Sequence, residues 1–218
     1  MLKQLIARIN KSYFIHKLVQ PLRTFRFQNK QYHYFCHKYN SPHINERAVE
    51  LPIAWAEVQK YQSSEVLEVG NVLSHYFPIS HQVVDKYEVA PGVINKDVIN
   101  FKSSKKFKLI VSISTLEHVG WDEKVKNKQK IPRALEHLKS LLAPGGTVFI
   151  TLPLGYNLYL DEHLRTNKIA FDKAFFLQRK TVFNSWLEVD KRVLKKMPKY
   201  NYPFANANVI IIGKLRAK

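Results

Sequence analysis

Acidic residues at the ends of short apolar runs are the first residues whose type and spacing could do chemistry. Glu68 and Gly70 close the run that begins at Val66, and a glycine there lets the backbone turn sharply and approach a ligand. Asp85 ends the next run, where a carboxylate can accept hydrogen bonds from both hydroxyls of a ribose, and Glu88 is the reserve for this role. The pattern predicts a ribose-bearing ligand at the edge of a sheet.

The elements that must position these residues alternate between short apolar runs and helical patterns. Runs without strict alternation predict strands buried on both faces, as in a parallel sheet covered by helices. They occupy residues 66–69, 82–84, 98–99, 109–113, 148–152 and 209–212. One helix is predicted from the N-cap Asn45 to about Tyr61, and a second over 128–142, ended by Pro144-Gly145-Gly146.

Length and cysteine content limit the class of protein. The 218 residues, 45% of them hydrophobic, predict one domain with extensions. Cys36 is the only cysteine, which excludes an intrachain disulfide and a thiolate zinc site within one copy and favours a reducing, cytoplasmic setting. The longest apolar stretches are shorter than the roughly 20 residues that span a bilayer, so no membrane crossing is predicted.

Five segments in a fixed order carry a family resemblance. They are Val66-Leu67-Glu68-Val69-Gly70, Val83-Val84-Asp85, Asn95-Lys96-Asp97, the stretch 109–119 with Leu116-Glu117-His118-Val119, and Leu141-Leu142-Ala143-Pro144-Gly145-Gly146 before Val148-Phe149-Ile150. Over about residues 66–153 the chain resembles class I S-adenosylmethionine (SAM)-dependent methyltransferases. The resemblance implies an α/β fold, a Rossmann-like three-layer α/β/α sandwich with a mostly parallel seven-stranded sheet, and SAM as the cofactor.

The same resemblance implies roles for residues along this sheet edge. Asp97 would accept a hydrogen bond from the adenine amino group, with a helix or turn cap as the alternative. Ser112 and Ser114 would border the methionine portion of SAM, and Glu117 would line the floor of the site beside His118. The predicted cofactor-binding set is Glu68, Gly70, Asn71, Asp85, Asp97, Ser112, Ser114 and Glu117.

His118 is the predicted catalytic residue. Methyl transfer from a sulfonium is an in-line displacement, so proximity and alignment can supply most of the rate. A hydroxyl acceptor would also gain from a base whose pKa is near neutral, and histidine is the residue type that provides it. A buried, hydrogen-bonded structural histidine is the competing interpretation.

The loop after the first predicted strand departs from the family pattern, because Gly70 stands where two or three spaced glycines are usual. Asn71 can adopt the left-handed conformation of a second glycine, whereas Val72 places a branched side chain where the methionine tail would pass. The alternative function is therefore a catalytically inactive protein of this fold that binds nucleic acid or an anionic membrane. A nicotinamide-dependent dehydrogenase is disfavoured because the Gly-x-Gly-x-x-Gly turn is missing.

A polar and aromatic stretch follows the predicted strand 148–152, at the edge that faces the ligand in such sheets. The predicted substrate-binding residues are Tyr156, Asn157, Asp161, His163 and Arg165, the last able to bind a phosphate or carboxylate. The overall pattern of the chain, including the helix start Asn45-Glu46-Arg47 and the turn Thr151-Leu152-Pro153-Leu154-Gly155, looks like methyltransferases of glycan and surface-polysaccharide biosynthesis. A hydroxyl, or less favourably an amine, of a polar small molecule or glycan is the predicted acceptor.

Positive charge is concentrated at the two ends of the chain. Of the net charge of +18, the first 45 residues supply eight basic and no acidic residues, and the 28 residues after Asp190 do the same. Residues 1–44 are predicted to be a basic, aromatic-rich extension, with an amphipathic helix over 2–19 and an irregular arm over 22–44, and residues 45–218 the methyltransferase domain. The helix would pack on the domain or lie peripherally on the inner membrane face, and nucleic acid is the less favoured partner.

Overall fold

The computed structural model describes residues 12–19 and 22–217. Of the helix predicted over 2–19, only α1, Tyr13–Val19, lies within the described residues. No helix in the described part of the chain is long and apolar enough to span a membrane.

An eight-stranded mixed sheet forms the centre of the fold, in the order β5-β4-β3-β6-β7-β10-β8-β9. Its strands are β3 Val66–Val69, β4 Gln82–Asp85, β5 Val93–Asn95, β6 Phe107–Ile113, β7 Leu142–Pro153, β8 Lys173–Arg179, β9 Trp186–Val189 and β10 Val209–Arg216. The first five strands of this order are parallel, and the last three join antiparallel. The predicted Rossmann-like class is confirmed, with eight strands rather than seven because β9 extends the antiparallel edge.

One predicted strand is wrong. Residues 98–99 belong to a 3-10 turn, Val98–Asn100, and the strand at this place in the sheet is β5, which pairs with β4. The Asp97 carboxylate caps the turn by accepting a hydrogen bond from the Ile99 N–H at 3.3 Å. A short side-chain acceptor of this kind offers the backbone an alternative to a strand ladder.

Three helices cover the sheet. Helix α2, Arg47–Val58, packs on one face, and α3, Lys130–Ser140, and α4, Leu158–Arg165, contribute to the core on the other. The N-cap of α2 is Glu46 instead of the predicted Asn45, although Asn45 Oδ1 accepts a hydrogen bond from the Arg47 N–H at 3.0 Å just before the helix. Pro144-Gly145-Gly146 lies inside the start of β7, since that strand begins directly after α3. The connection from β3 to β4 contains only the 3-10 turn Leu73–His75.

The arm predicted as irregular over 22–44 contains a β-hairpin, β1 Thr24–Phe27 with β2 Lys30–His33. Phe25, Phe27 and Tyr34 are buried with α2 in the core on its face of the sheet. The Tyr34 hydroxyl also accepts a hydrogen bond from the Trp186 N–H at 2.7 Å. Aromatic residues that could have served nucleic-acid binding therefore hold this segment against the domain.

Candidate functional site

A cavity of about 470 Å³ lies where the parallel strands β3 to β6 end. This volume is in the range of small-molecule sites, and the edge is the one at which open α/β sheets bind ligands. Five predicted site residues line it, namely Gly70, Asn71, Asp85, Asp97 and His118. The N-terminal segment also contributes to the wall, through Tyr39 and Asn40.

The loop after β3 bends tightly at Gly70. Its φ is +90°, and an added Cβ would clash with Thr115, whose Cγ2 would be 2.6 Å away. Glu68 fixes the loop from behind, because its Oε1 accepts hydrogen bonds from the N–H groups of Val72 at 2.9 Å and Leu73 at 2.8 Å. The Val72 side chain belongs to the core cluster beneath, and the cavity exists beside it. A single glycine thus suffices for the bend.

Asp85 and Glu88 face the cavity from the end of β4 and the loop that follows. Asp85 accepts hydrogen bonds from the N–H groups of Asn71 at 3.0 Å, Tyr87 at 2.7 Å and Glu88 at 2.8 Å. Two carboxylate oxygens provide about four acceptor positions, so capacity remains for a ligand hydroxyl. Glu88 accepts a hydrogen bond from the Asn71 amide at 2.6 Å and lies 3.0 Å from the His75 ring nitrogen.

Asp97 lies between two lysines at the next strand end. Its Oδ2 is 2.6 Å from Lys130 Nζ and 3.1 Å from Lys86 Nζ, and both lysines also pair with Glu123. Burial acts to raise the pKa of Asp97, but the lysine hydrogen bonds outweigh burial and lower it. The Asp97 carboxylate therefore caps the turn, which was the alternative role predicted for it, and also lines the cavity.

His118 lies at the cavity wall between two carboxyl groups. Its Nδ1 is 2.5 Å from Asp122 Oδ2, and its Nε2 is 3.4 Å from Glu117 Oε1. Tyr156 donates its hydroxyl proton to the same Asp122 oxygen at 2.6 Å and packs edge-on against the His118 ring. The imidazole is therefore oriented rather than buried, with about 45% of its side chain exposed.

Two glutamates next to this wall are almost completely buried. Burial raises the pKa of Glu50 to about 7, although the charge of Arg47 acts in the opposite direction. Burial likewise raises the pKa of Glu117 well above its ordinary value. Glu50 Oε1 accepts the Ser114 hydroxyl proton at 2.6 Å. Ser114 and Glu117 thus form a layer behind the cavity wall.

Several predicted site residues have local roles instead of facing the cavity. Ser112 is buried and donates its hydroxyl proton to the Val69 carbonyl oxygen at 2.9 Å. Asn157 caps α4, and His163 is hydrogen bonded through Nε2 to a backbone carbonyl at 2.8 Å. Asp161 accepts the Gly155 N–H at 3.1 Å, and burial raises its pKa to about 6. The Asn157 cap and the Asp161 contact are local, whereas His163 Nε2 reaches the Lys128 carbonyl oxygen. All of these hydrogen bonds go to backbone groups.

Arg165 lines a separate cavity of about 340 Å³ beyond α4, beside Lys191 and Lys195. None of the predicted substrate-binding residues lines the main cavity, but Tyr156 packs against the His118 ring, and Asn157 Nδ2 donates a hydrogen bond to the Glu117 carbonyl oxygen at 2.6 Å. The structure therefore brings four of the eight predicted cofactor-binding residues together at the cavity, Gly70, Asn71, Asp85 and Asp97, and disperses most of the predicted acceptor residues.

Residues that the sequence analysis missed complete the site. Asp122 follows His118 by four positions, a spacing that could have indicated the pair. Arg47, Lys86 and Tyr39 line the cavity from α2, the β4 loop and the N-terminal segment, where no motif marks them. In the described ranges, no group of three or more His, Cys, Asp or Glu residues could hold a metal ion.

No protein-family model matches the chain, and no curated protein sequence matches it. Solved structures resemble it at low identity. The N-methyltransferase NodS from Bradyrhizobium japonicum WM9, in complex with S-adenosyl-L-homocysteine (SAH), is 12% identical with a TM-score of 0.47, over 79% of this chain and 87% of that one. A SAM-dependent methyltransferase from Thermotoga maritima is 15% identical with a TM-score of 0.46, over 79% and 90%.

An rRNA methylase from Streptococcus thermophilus is 11% identical with a TM-score of 0.44, over 78% of this chain and 97% of that one. Similarity at this level carries no information about the acceptor. The function has to be argued from the contacts of this chain's own residues.

Proposed function

We propose that the protein is a methyltransferase that binds SAM in the main cavity and moves its methyl group to a hydroxyl of a polar small molecule or glycan. The observation that carries the proposal is the pairing of the Gly70 bend with Asp85 and Glu88 at the neighbouring strand end. A backbone that approaches closely and a carboxylate with free acceptor positions are what a ribose requires. SAM has no phosphate, so the absence of further glycines does not argue against it.

The remaining donor contacts follow from the arrangement of the wall. Asp97 lies one strand beyond Asp85, where an adenine ring attached to a ribose held at Asp85 would extend. The methionine portion would run in the other direction, past Gly70 toward Thr115 and His118. In this placement the sulfonium methyl group faces the His118 wall, and the acceptor enters from that side.

The chemistry at the acceptor side is proton removal during an in-line displacement. The acceptor oxygen would use a lone pair to form a bond to the methyl carbon while the carbon–sulfur bond breaks. The electron pair of the broken bond would stay on sulfur, which gives SAH. The hydroxyl proton passes to His118 Nε2, because Nδ1 is hydrogen bonded to Asp122. Asp122 and Tyr156 are the positioning residues, since both act through the imidazole.

Calorimetric titration and thermal unfolding with SAM and SAH test the donor half of the proposal. A ligand at 100 times its dissociation constant should stabilise the protein by about 2.7 kcal/mol. We expect Asp85→Asn to weaken SAH binding at least about tenfold, since one unpaired hydroxyl contact is worth roughly 1.4 kcal/mol. Glu136→Gln on the exposed face of α3 is the control and should bind normally. Absence of any SAM or SAH response in the folded wild type would exclude the proposal.

The acceptor half is tested with isotopically labelled SAM and a set of mono- and disaccharides, with O-methylated products identified by mass spectrometry. His118→Gln should retain SAH binding and lose product formation. Products methylated only on nitrogen would contradict the hydroxyl assignment while leaving the SAM site intact.

A peripheral contact with an anionic membrane is a second proposal, supported by α1. Phe14, Leu18 and Leu22 are 72%, 68% and 85% exposed, and Lys17 is exposed beside them. Apolar side chains next to basic charge are the pattern of helices that lie in a lipid interface. Co-sedimentation with phosphatidylglycerol vesicles should exceed that with phosphatidylcholine vesicles and fall in the Phe14→Ser, Leu18→Ser variant. Equal sedimentation of wild type and variant would contradict the proposal.

A further inference from the structure

The basic C-terminal part of the chain forms one wall of the second cavity. This cavity, of about 340 Å³, lies between the end of α4 and the 3-10 turn Lys191–Lys195. Within the described ranges it shares no lining residue with the main cavity. Three of the eight basic residues that follow Asp190 line it, and the proposed methyl transfer uses none of them. We call this space the basic cavity.

Cationic side chains outnumber acidic ones in the lining. Arg165 is the last residue of α4, and Lys191, Arg192 and Lys195 belong to the 3-10 turn. Asp190 is the one acidic side chain of the lining, and its Oδ1 is 3.0 Å from Arg192 Nε. Four cations against one carboxylate leave a net charge of +3 around the basic cavity. The lining therefore favours an anionic ligand.

Local structure explains only part of this charge. A cation is favoured at a helix C-terminus, which accounts for Arg165 at the end of α4 and covers Lys195 at the end of the 3-10 turn. It does not cover Lys191, which is the first residue of that turn. Neither lysine forms an ion pair with an acidic residue in the described part of the chain. Like charges around one small cavity repel each other, so a bound anion would stabilise the arrangement.

The nearest acidic residue outside the lining already has a closer partner. Glu162 Oε2 lies 2.7 Å from Lys128 Nζ, and that hydrogen bond is the main cause of the lowered pKa of Glu162. The charge of Arg165 lowers this pKa as a further contribution. The guanidinium of Arg165 therefore keeps its donors available toward the basic cavity.

A phosphate group matches both the charge and the donors of this lining. A phosphate monoester carries a charge of about −1.5 to −2 at pH 7 and has three acceptor oxygens. A guanidinium can donate two parallel N–H bonds to such a group, and each lysine ammonium has three N–H donors. A carboxylate brings one charge, which a single cation would compensate. Nucleic acid needs an extended basic stripe, whereas a cavity of this size holds one small group.

We propose that the basic cavity binds a phosphate monoester through Arg165, Lys191 and Lys195. The site goes beyond the proposed function and does not depend on it, because the two cavities are lined by different residues. The buried side chains of Leu164 and Leu194 form an apolar part of the lining, against which the carbon atoms next to the phosphate can pack. The phosphate can belong to a soluble phosphorylated molecule or to a phospholipid head group, since both present the same three oxygens.

The test is an NMR titration of the labelled full chain with glycerol 3-phosphate and with glycerol, which lacks the phosphate. We expect glycerol 3-phosphate, but not glycerol, to shift the backbone amide signals of Arg165, Lys191 and Lys195. The Lys191→Gln, Lys195→Gln variant should bind at least about tenfold more weakly, because it loses two charged contacts. The Lys30→Gln, Lys102→Gln variant removes the same charge from exposed lysines outside both cavities, and its affinity should change by less than about twofold.

Vesicles distinguish the two sources of the phosphate. Phosphatidic acid carries the same monoester on a lipid, and phosphatidylcholine carries no free monoester. Co-sedimentation is measured in the Phe14→Ser, Leu18→Ser background, which removes the exposed apolar residues of α1. Binding of glycerol 3-phosphate in solution would identify a soluble ligand. Binding to phosphatidic acid vesicles alone, lost when Lys191→Gln and Lys195→Gln are added, would identify a lipid head group.

Three results would overturn the inference. Equal weakening in the two lysine variants, or amide shifts confined to residues outside the basic cavity, would indicate general attraction to a chain with a net charge of +18. Absence of binding of both phosphate probes by the folded protein would exclude the site directly. None of these titrations contains SAM or SAH, so their outcome and that of the proposed function are separate.

Discussion

Acidic residues at and behind the two sides of the cavity have pKa values that are shifted in opposite directions. On the side that we propose binds SAM, here called the donor side, Asp97 and Glu123 have lowered pKa values, because hydrogen bonds from Lys130 and Lys86 outweigh the effect of burial. On the acceptor side, burial dominates and raises the pKa of Glu50 and of Glu117. The contrast shows that an acidic residue near a ligand edge has no fixed role until its partners are known.

The backbone differs between the two sides as well. The donor side is built from tight strand-to-loop bends whose N–H groups donate hydrogen bonds to carboxylates of the same or the neighbouring strand end, as at Glu68 and Asp85. The acceptor side is built from side chains that meet from distant parts of the chain, such as Glu50 of α2 with Ser114 after β6. The donor side should therefore respond most to backbone changes, and the acceptor side to changes of charge and pH.

The largest effect is expected for Gly70→Ala. The added Cβ would clash with Thr115 at a φ of +90°, so the loop and the β6 end must separate. We expect a loss of about 3 kcal/mol or more in the free energy of unfolding, measured by denaturant titration, together with loss of SAH binding.

Gly92→Ala is the matched control for this change. Gly92 has a similar φ of +80°, but nothing lies within 4 Å of the added Cβ. It should cost only about 1 kcal/mol and leave SAH binding intact. Equal losses of unfolding free energy in the two variants would mean that backbone strain, and not the close approach to Thr115, is the reason for a glycine at position 70.

Local patterns explain why the donor side was predictable from the sequence. Glu68, Gly70 and Asp85 each stand at the end of an apolar run, so strand spacing alone brings them to one edge. The prediction of a strand at 98–99 was wrong because Asp97 caps a turn there. The strand is formed instead by Val93–Asn95, which begins with the apolar pair Val93 and Ile94. The strand error is local, but four residues of the predicted cofactor-binding set do not line the cavity, namely Glu68, Ser112, Ser114 and Glu117.

The acceptor side could not be predicted in the same way. Asn157, Asp161 and His163 looked like ligand-binding residues, but their hydrogen bonds go to backbone groups of α4, of the turn before it, and of Glu117 and Lys128. Glu50 and Arg47 lie on a helix more than 60 residues before Ser114, and only tertiary packing brings them beside it. Side chains that meet through packing leave no spacing signal in the sequence.

The pH dependence of stability is the next largest expected effect. The pKa of Glu50 is about 7 in the folded protein against an ordinary value of 4.5, so the folded state keeps a proton that the unfolded state has lost. Stability should therefore fall as pH rises from about 4.5 to 7, by about 3 kcal/mol from this group.

Glu50→Gln removes that titration and keeps an oxygen that can accept the Ser114 hydroxyl proton. The difference in unfolding free energy between wild type and variant should grow in favour of the variant as pH rises through this window. Asp161, whose pKa is raised to about 6, contributes in the same direction to both proteins and cancels in the comparison. A difference that is flat with pH would contradict the state assigned to Glu50.

The smallest effect on stability is expected for Asp97→Asn, which tests whether Asp97 contacts the adenine of SAM. The substitution removes one acidic partner of Lys130 and Lys86 and leaves Glu123 in place, so stability should fall by about 1 kcal/mol. If Asp97 also accepts a hydrogen bond from the adenine amino group, SAH affinity should fall about tenfold in calorimetric titration. Glu123→Gln removes the other partner of the same lysines and should change SAH affinity less than about threefold. Equal affinities in both variants would restrict Asp97 to its turn cap and lysine contacts, because the charge of the lysine network changes alike in the two cases.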